Sequence, residues 1–268
     1  MDKANLQRNF EGYVNTPLLW TDAPVYGLSP YIFKPISNQH FTDETVNRLR
    51  LGKMIEHFVF HQLATDPSIT ILAKNIQIQD GKRTIGELDT LLLTEVGPVH
   101  LEIIYKFYLY DPDEGETELA HWIGPNRKDA LLQKLTKLKE KQLPLLYHPK
   151  TQTMLERLSL KSDDIKQYVF FKAQLFLPLD FSDDAFSQLN PACVNGFYLK
   201  KDELIRFRTA EFYIPQKQDW IMDAHDSVEW MTYHNFVAEV SPWLDDNRSP
   251  LCWMKEGTKT QKIFVVWW

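Results

Sequence analysis

Three carboxylates and a lysine lie within a stretch of strongly β-forming sequence, where apolar residues are usual. Residues 83–94 are rich in Ile, Leu and Thr, and residues 99–110 are rich in Val, Ile, Tyr and Phe. The charged side chains of interest in these two runs are Glu87, Asp89, Glu102 and Lys106. Carboxylates from neighbouring strands form an oxygen site suited to Mg²⁺ or Mn²⁺. A lysine beside them could orient a water molecule or stabilise charge that develops on a phosphate.

The register of the hairpin decides whether these groups meet, because successive side chains of a strand point to opposite faces. The sequence Glu-Val-Gly-Pro at 95–98 has the composition of a short hairpin loop. A four-residue loop there pairs Glu87 with Lys106 and places Asp89 opposite Ile104. Since directly opposed residues share a face, the four charged groups are predicted to gather on one patch of the sheet.

A second interpretation of the same residues needs no ligand. Glu87 and Lys106 would form a cross-strand ion pair on a solvated face, with the other two acids as surface residues. The hydrophobicity of both strands argues against this interpretation, because it favours a sheet covered on both sides, where a stray carboxylate is costly. From these residues alone, both interpretations stay open.

The order of the motifs resembles that of the PD-(D/E)XK nuclease superfamily. A helix bearing Glu, the sequence GELD at 86–89, a Glu that opens the next strand and then a basic helix follow one another. The chain resembles in particular an uncharacterised bacterial domain family, known only as a domain of unknown function. The stretches that carry this narrower resemblance are RLGKMIEHFVFHQL, KNIQIQDGKRTIGELDTLLL, HLEIIYKFYLY, WIGPNRKDALLQKL, QLFLPL and NGFYLKKDEL.

The resemblance implies an α/β (α+β) protein with a restriction-endonuclease-like core, in which helices flank a mixed sheet in α-β-β-β-α-β order. It also implies a divalent metal ion held by acids, and phosphodiester cleavage of nucleic acid. Asp89 matches the metal-binding Asp, Glu102 the acid of the following strand, and Glu56 the acid of the first helix. The resemblance places a lysine two positions after Glu102, where this chain has Ile104. The lysine of this chain is Lys106, two residues or roughly 7 Å further along the strand. The alternative is therefore a catalytically inactive nuclease-like fold that binds nucleic acid or a protein.

The elements around the hairpin are predicted from hydrophobic periodicity. Apolar residues at helical spacing predict a helix over 42–64, with Glu56 at the edge of its apolar stripe. There Glu56 is either a metal ligand or a solvated helix residue. Alternation predicts a strand at 69–79 ahead of the hairpin, and a run of apolar residues predicts a strand at 167–179 that is buried on both faces.

A basic helix is predicted after the hairpin, with Asn126 as its N-cap, Asp129 as an acidic residue in its first turn and Pro144 at its end. Seven Lys and Arg residues against two acids give residues 127–150 a local charge of +5. This face either binds a phosphate backbone or is simply solvated. The candidate nucleic-acid-binding residues are Arg127, Lys128, Lys134 and Lys137. Gln133 occupies the place where many superfamily members carry a Gln on this helix.

Composition limits the remaining possibilities. The 268 residues, 44 % of them hydrophobic, suffice for a substantial core. A shift towards aromatic residues divides the chain into a nuclease-like core with an N-terminal extension at 1–180 and a Trp-rich α+β extension at 181–268. The net charge of −6 restricts any polyanion site to a local patch. No long apolar run or signal-peptide core occurs, which predicts a cytoplasmic protein without a membrane partner.

Overall fold

A computed structural model describes residues 3–34, 40–181 and 186–268. The predicted domain boundary at 180/181 lies next to the second gap between these ranges.

The structure is built from five α-helices, ten strands and several short helical segments within the described residues. The helices are α1 (Lys3–Asn15), α2 (Leu51–Thr65), α3 (Leu131–Lys137), α4 (Pro149–Arg157) and α5 (Tyr233–Asp245). The strands are β1 (Thr70–Asp80), β2 (Arg83–Thr94), β3 (Gly97–Tyr110), β4 (Trp122–Ile123), β5 (Lys166–Pro178), β6 (Val194–Lys200), β7 (Glu211–Tyr213), β8 (Met231–Thr232), β9 (Leu251–Glu256) and β10 (Lys259–Val266). A π-helix, Leu138–Gln142, and a 3₁₀ helix, Leu143–Tyr147, continue α3. The other 3₁₀ helices are Glu44–Arg48, Ser162–Asp164, Pro191–Cys193, Asp202–Phe207 and Lys217–Ile221.

The strands form one mixed sheet. Their order is β1-β2-β3-β5-β6-β10-β9-β7-β8, with β4 paired to the end of β3. The middle of the sheet is parallel, because β3, β5, β6 and β10 pair with one another in that sense. Antiparallel hairpins extend it on either side. The expected α+β architecture with a helix-flanked mixed sheet is therefore confirmed.

The sheet buries apolar side chains on both of its faces. On one face, Leu101 and Leu109 of β3 pack in a cluster that includes residues of α1 and α2. On the other face, Ile104 and Tyr108 of the same strand pack with leucines of α3. This is the alternation expected of a strand, and it places α2 and α3 on opposite sides of the sheet. β5 contributes to both clusters, as predicted.

The hairpin loop is shorter than predicted. Thr94 pairs with Gly97, so the loop contains only residues 95 and 96, and the predicted four-residue loop is wrong. Gly97 adopts a φ of 107°, a conformation open to glycine but unfavourable for other residues, which permits this tight connection. The register moves by two residues. Because this is an even number, every side chain of the hairpin keeps its predicted face.

Both predicted helices begin later than expected. The segment Glu44–Arg48 is a separate 3₁₀ helix, and α2 begins only at Leu51. The helix α3 begins at Leu131 without a side-chain cap. Asn126 Oδ1 instead accepts a hydrogen bond from the backbone N–H of Ser249, at 2.8 Å.

Two buried lysines attach helical segments to the sheet. Lys172 Nζ donates to the carbonyl oxygens of Tyr13 (2.7 Å) and Val14 (3.0 Å), at the C-terminal end of α1. Lys262 Nζ donates to the carbonyl oxygen of Trp220 (3.1 Å), in the 3₁₀ helix Lys217–Ile221. Carbonyls at helix ends are partly negative and lack helical partners, so they suit an ammonium group. Burial lowers the pKa of both lysines to about 7.

These lysines make stability depend on pH. A lysine with an ordinary pKa near 10.4 in the unfolded chain and a pKa of about 7 when folded binds more protons in the unfolded chain between those values. The free energy of unfolding therefore rises with pH across that window. We expect the wild type to gain roughly 2 kcal/mol relative to Lys262→Met between pH 7 and pH 9, measured by urea denaturation.

The control is Lys259→Met, which changes an exposed lysine on the same strand. Because this variant keeps both buried lysines, the difference in its free energy of unfolding from the wild type should be the same at pH 7 and pH 9. A difference between wild type and Lys262→Met that is the same at both pH values would contradict the effect of burial on this lysine.

Candidate active site

The strands β2 and β3 separate where their acids lie. Backbone pairing between them ends at Thr90 and Leu101. Beyond this point the two strands diverge, and β2 stays paired with β1 while β3 stays paired with β5. Asp89 Oδ2 accepts a 2.8 Å hydrogen bond from the backbone N–H of Ile103 at this point. The observed register, continued by one residue, sets Asp89 beside Glu102. The two acids are thus brought together on one face, as predicted, although by a different register.

The acid pair carries a strong mutual repulsion. Glu102 is fully buried and Asp89 is partly exposed. Burial, together with the negative charge of Glu102, raises the pKa of Asp89 to about 7. The hydrogen bond from Ile103 lowers the pKa, Glu56 raises it, and Lys134 lowers it. Because a bound cation would relieve this repulsion, the pair has the electrostatics of a cation site.

Glu102 is held in one orientation by a buried hydrogen-bond network. Its Oε1 lies 3.1 Å from Nε2 of His100, and its Oε2 accepts a 2.6 Å hydrogen bond from Gln142 Nε2. The other ring nitrogen of His100 lies 2.9 Å from Gln167 Nε2. Since an amide nitrogen donates, His100 Nδ1 accepts and Nε2–H points to Glu102. Gln142 Oε1 accepts a further hydrogen bond, from Lys134 Nζ at 2.8 Å.

Lys134 is the amine whose positive charge acts on both acids, and it is linked to Glu102 through Gln142 rather than by a direct ion pair. Burial lowers its pKa, whereas Glu102 and Asp89 raise it. Lys134 lies on α3, and the π-helix that follows α3 carries Gln142. A π-helical turn holds more residues than an α-helical one and is frequent at functional sites. It allows two side chains eight residues apart to meet over Glu102.

Lys106 lies apart from the acid pair. Its Nζ forms a 2.6 Å ion pair with Asp129 Oδ2, and the predicted pairing with Glu87 is not observed. Along β3, Lys106 is four residues beyond Glu102, a distance of about 13 Å at the rise of an extended strand. Its partner Asp129 was expected to sit in the first turn of a helix that in fact starts later.

Glu56 and Glu87 meet at the border of the site through Lys53. The Lys53 Nζ lies 2.7 Å from Glu56 Oε2 and 3.7 Å from Glu87 Oε1. Burial lowers the pKa of Lys53, but hydrogen bonding and the charges of nearby acids, Asp89 among them, raise it overall. Although α2 lies on the other side of the sheet, the divergence of the strands lets the charge of Glu56 act on Asp89.

The fit of a metal ion can be judged from these donors. Among residues 3–34, 40–181 and 186–268, no group of three or more His, Cys, Asp or Glu side chains is arranged to hold a metal. Glu56 is paired with Lys53 rather than turned to the other two acids. Mg²⁺ keeps several water ligands and often takes only one or two carboxylates. Asp89 and Glu102 therefore suit a hydrated Mg²⁺ or Mn²⁺. Binding would require Gln142 Nε2 to give up its hydrogen bond to Glu102 Oε2.

A cavity of about 620 Å³ opens beside Asp89. Asp89, Glu87 and the helical segment after α3 contribute to its lining. Two basic residues, Lys137 and Lys141, line it as well, and both are exposed. The cavity thus joins acids that could hold a cation to lysines that could contact an anion.

Arg127 is committed to contacts away from this cavity. Its guanidinium forms a 2.6 Å ion pair with Asp111, a second ion pair with Glu114, and a stacking contact with the Trp268 ring at 4.7 Å from the ring centre. Its charge is therefore largely neutralised within the chain. Of the other residues predicted to form the basic face, Lys134 and Lys137 lie at the site. Lys128 and Gln133 are exposed and do not line the cavity.

Four residues of the site were not singled out in the sequence: Lys53, His100, Gln142 and Gln167. His100 has the same parity as Glu102 on β3, so strand alternation contained the signal. Lys53 precedes Glu56 by three residues, the usual spacing of a helical ion pair. No comparable pattern marks Gln142 or Gln167, whose positions depend on how separate elements pack.

The fold and site define a mixed α+β protein with a partly buried acid pair at the divergence of two strands. The chain belongs to the family described as "Domain of unknown function (DUF1853)", whose model matches residues 15–266. The match includes the acid site and the C-terminal strands. No curated protein and no solved structure matches the chain. Within the described residues, every helix is too short or too polar to span a bilayer.

Removing the charge of Asp89 should stabilise the metal-free protein. Asn retains an acceptor for the Ile103 N–H. Because folding raises the pKa of Asp89 to about 7, the folded state binds more protons than the unfolded state from about pH 4 to pH 7, and wild-type stability falls as pH rises through that window. We expect Asp89→Asn to exceed the wild type by about 4 kcal/mol at pH 8, since one pKa unit corresponds to about 1.4 kcal/mol, and to approach it near pH 4, by guanidinium denaturation in EDTA.

Glu116→Gln, which neutralises an exposed acid, provides the comparison and should show no such pH-dependent gain. If Asp89→Asn were no more stable than wild type at pH 8, the repulsion inferred for the acid pair would be wrong.

Proposed function

We propose that this protein is a divalent-metal-dependent phosphodiesterase that acts on nucleic acid. The observation that carries the proposal is the pairing of Asp89 and Glu102 at the divergence of β2 and β3, with Lys134 beside them. The resemblance to PD-(D/E)XK nucleases supports it, because that resemblance assigns the same two acids to the metal. The succession of α2, β1, β2, β3, α3 and β5 along the chain supports a core of that kind.

Asp89 and Glu102 would hold Mg²⁺ or Mn²⁺. The ion, when bound, supplies a Lewis acid for a phosphoryl oxygen and lowers the pKa of a coordinated water. Different groups of the chain orient the two carboxylates. Asp89 is fixed by the Ile103 N–H, and Glu102 by His100 and Gln142.

Lys134 is the proposed amine of the reaction. Lys106 was the candidate from the sequence, but its ion pair with Asp129 directs it elsewhere. Lys134 reaches the neighbourhood of both acids from α3, where it could stabilise negative charge that develops on the phosphate. Its link to Glu102 through Gln142 would hold it in place before substrate binds.

A binding module without catalysis is the second candidate. The observation in its favour is that both oxygens of Glu102 already have protein partners. In that case the network is a fixed structural element, and Lys137 and Lys141 are the functional part of the cavity. The phosphodiesterase requires a metal ion at the acid pair, whereas the binding module does not.

The main test is cleavage of labelled single- and double-stranded DNA and RNA in Mn²⁺ or Mg²⁺. The wild type should cleave at least one of these substrates and lose activity in EDTA. Asp89→Ala should reduce the rate by about 100-fold or more, since it removes a direct metal ligand. Activity that survives this substitution would remove the proposed site.

Metal binding is tested apart from activity by thermal denaturation. Mn²⁺ should raise the melting temperature of the wild type, because a ligand that binds only the folded state stabilises it. It should not raise that of Asp89→Asn. Absence of both cleavage and a Mn²⁺-dependent shift would favour the non-catalytic module.

The two lysines can be distinguished by matched substitutions. Lys134→Gln should reduce the cleavage rate by about 100-fold, comparable with the loss of other groups that stabilise charge in a transition state. Lys106→Gln should stay within about threefold of the wild type, because it breaks only the pair with Asp129 outside the acid site. Lys134→Arg, which keeps the charge, should recover part of the rate. The opposite ranking of Lys134→Gln and Lys106→Gln would restore Lys106 to the catalytic role.

A further inference from the structure

Three lysines follow one side of the helical segment that borders the cavity. Lys134, Lys137 and Lys141 are spaced by three and four residues, which places their side chains on the same helix face. They cover roughly 10 Å along the axis. Lys134 is beside the acids, and the other two line the cavity. Neither Lys137 nor Lys141 forms an ion pair with a residue in the described part of the chain.

The cavity continues to an exposed aromatic ring. Tyr147 ends the 3₁₀ helix Leu143–Tyr147, lines the same cavity and is 51 % exposed. Its neighbour Leu145 is buried, so the short helix is anchored while its last residue remains accessible. Base stacking on such a ring is sequence-tolerant, because every base has a flat aromatic face.

The acids limit where a polyanion can bind. Glu87 and Asp89 line the same cavity as Lys137 and Lys141, and they repel phosphates unless a cation is present. The charge of Glu87 is partly offset by Lys53. A nucleic-acid backbone would therefore follow Lys137 and Lys141 and present a single phosphodiester to the acid pair.

We infer that the cavity takes a single-stranded segment or a frayed end of nucleic acid, with one unpaired base stacked on Tyr147. This inference rests on the proposed function and names its substrate class. A volume of about 620 Å³ is that of a small-molecule pocket, large enough for one nucleotide. Inside a duplex the faces of the bases are covered by their neighbours, so away from the duplex ends the ring can stack only on a base that has left the helix.

The test is binding of fluorescein-labelled 12-nucleotide DNA, single-stranded and as the matching duplex, measured by anisotropy at low salt in Ca²⁺, which takes carboxylate ligands and offsets the charge of the acids. Gel electrophoresis of the labelled strand after each measurement checks that it is intact. The wild type should bind the single strand about tenfold more tightly than the duplex. Tyr147→Ala should weaken single-strand binding about tenfold, which is within the range measured for loss of one stacked base. Tyr147→Phe should bind as the wild type does.

Trp267→Ala removes another exposed aromatic side chain, one that does not line this cavity, and it should leave both affinities unchanged. Equal or tighter binding of the duplex, no effect of Tyr147→Ala, or no binding of either DNA would each overturn the inference. Single-strand binding that depends on Tyr147 but is never followed by cleavage in Mn²⁺ would leave the inference standing and remove the proposed catalysis. Failure of the single-strand inference and failure of the proposed catalysis therefore give different experimental results.

Discussion

The repulsion between Asp89 and Glu102 is the constraint around which the site is arranged. Two carboxylates in a poorly hydrated place raise the free energy of the folded chain unless neighbouring groups compensate. The Ile103 N–H donates to Asp89, Gln142 donates to Glu102, and the positive charge of Lys134 acts on both acids. The compensation is incomplete, because the pKa of Asp89 stays raised. A site that remains short of positive charge takes up a proton near neutral pH, or the cation that the proposed function requires.

Buried charged groups have different kinds of partners on the two faces of the sheet. Beside α1, Lys172 and Lys262 donate to backbone carbonyls of helical segments. Beneath α3, Glu102 relies on side chains that come from several separate elements. The first arrangement attaches helices to the sheet, and the second holds a carboxylate in one orientation. Both lower the stability that an apolar core of the same volume would give, and proteins accept such a loss mainly where function requires it.

The sequence was sufficient to locate the acids but not their partners. Alternation along β2 and β3 put Asp89 and Glu102 on one face, and the two-residue register error could not change that because it was even. Lys106 pairs with Asp129, which precedes α3 because that helix starts only at Leu131. The approach of Lys134 and Gln142 to Glu102 depends on a π-helix, which has no recognisable sequence signature. Local periodicity thus predicts faces, whereas tertiary packing decides contacts.

The position of β10 in the sheet has a consequence for assembly. This strand follows all the others in the chain, yet it lies between β6 and β9 and pairs with both. A ribosome that has released only the residues up to β9 has therefore exposed two strand edges that cannot yet join. Pairings between segments distant in sequence form slowly, and unpaired edges invite association with other chains. Before β10 is available, the part of the sheet that ends at β6 and the part that ends at β9 cannot pair through it.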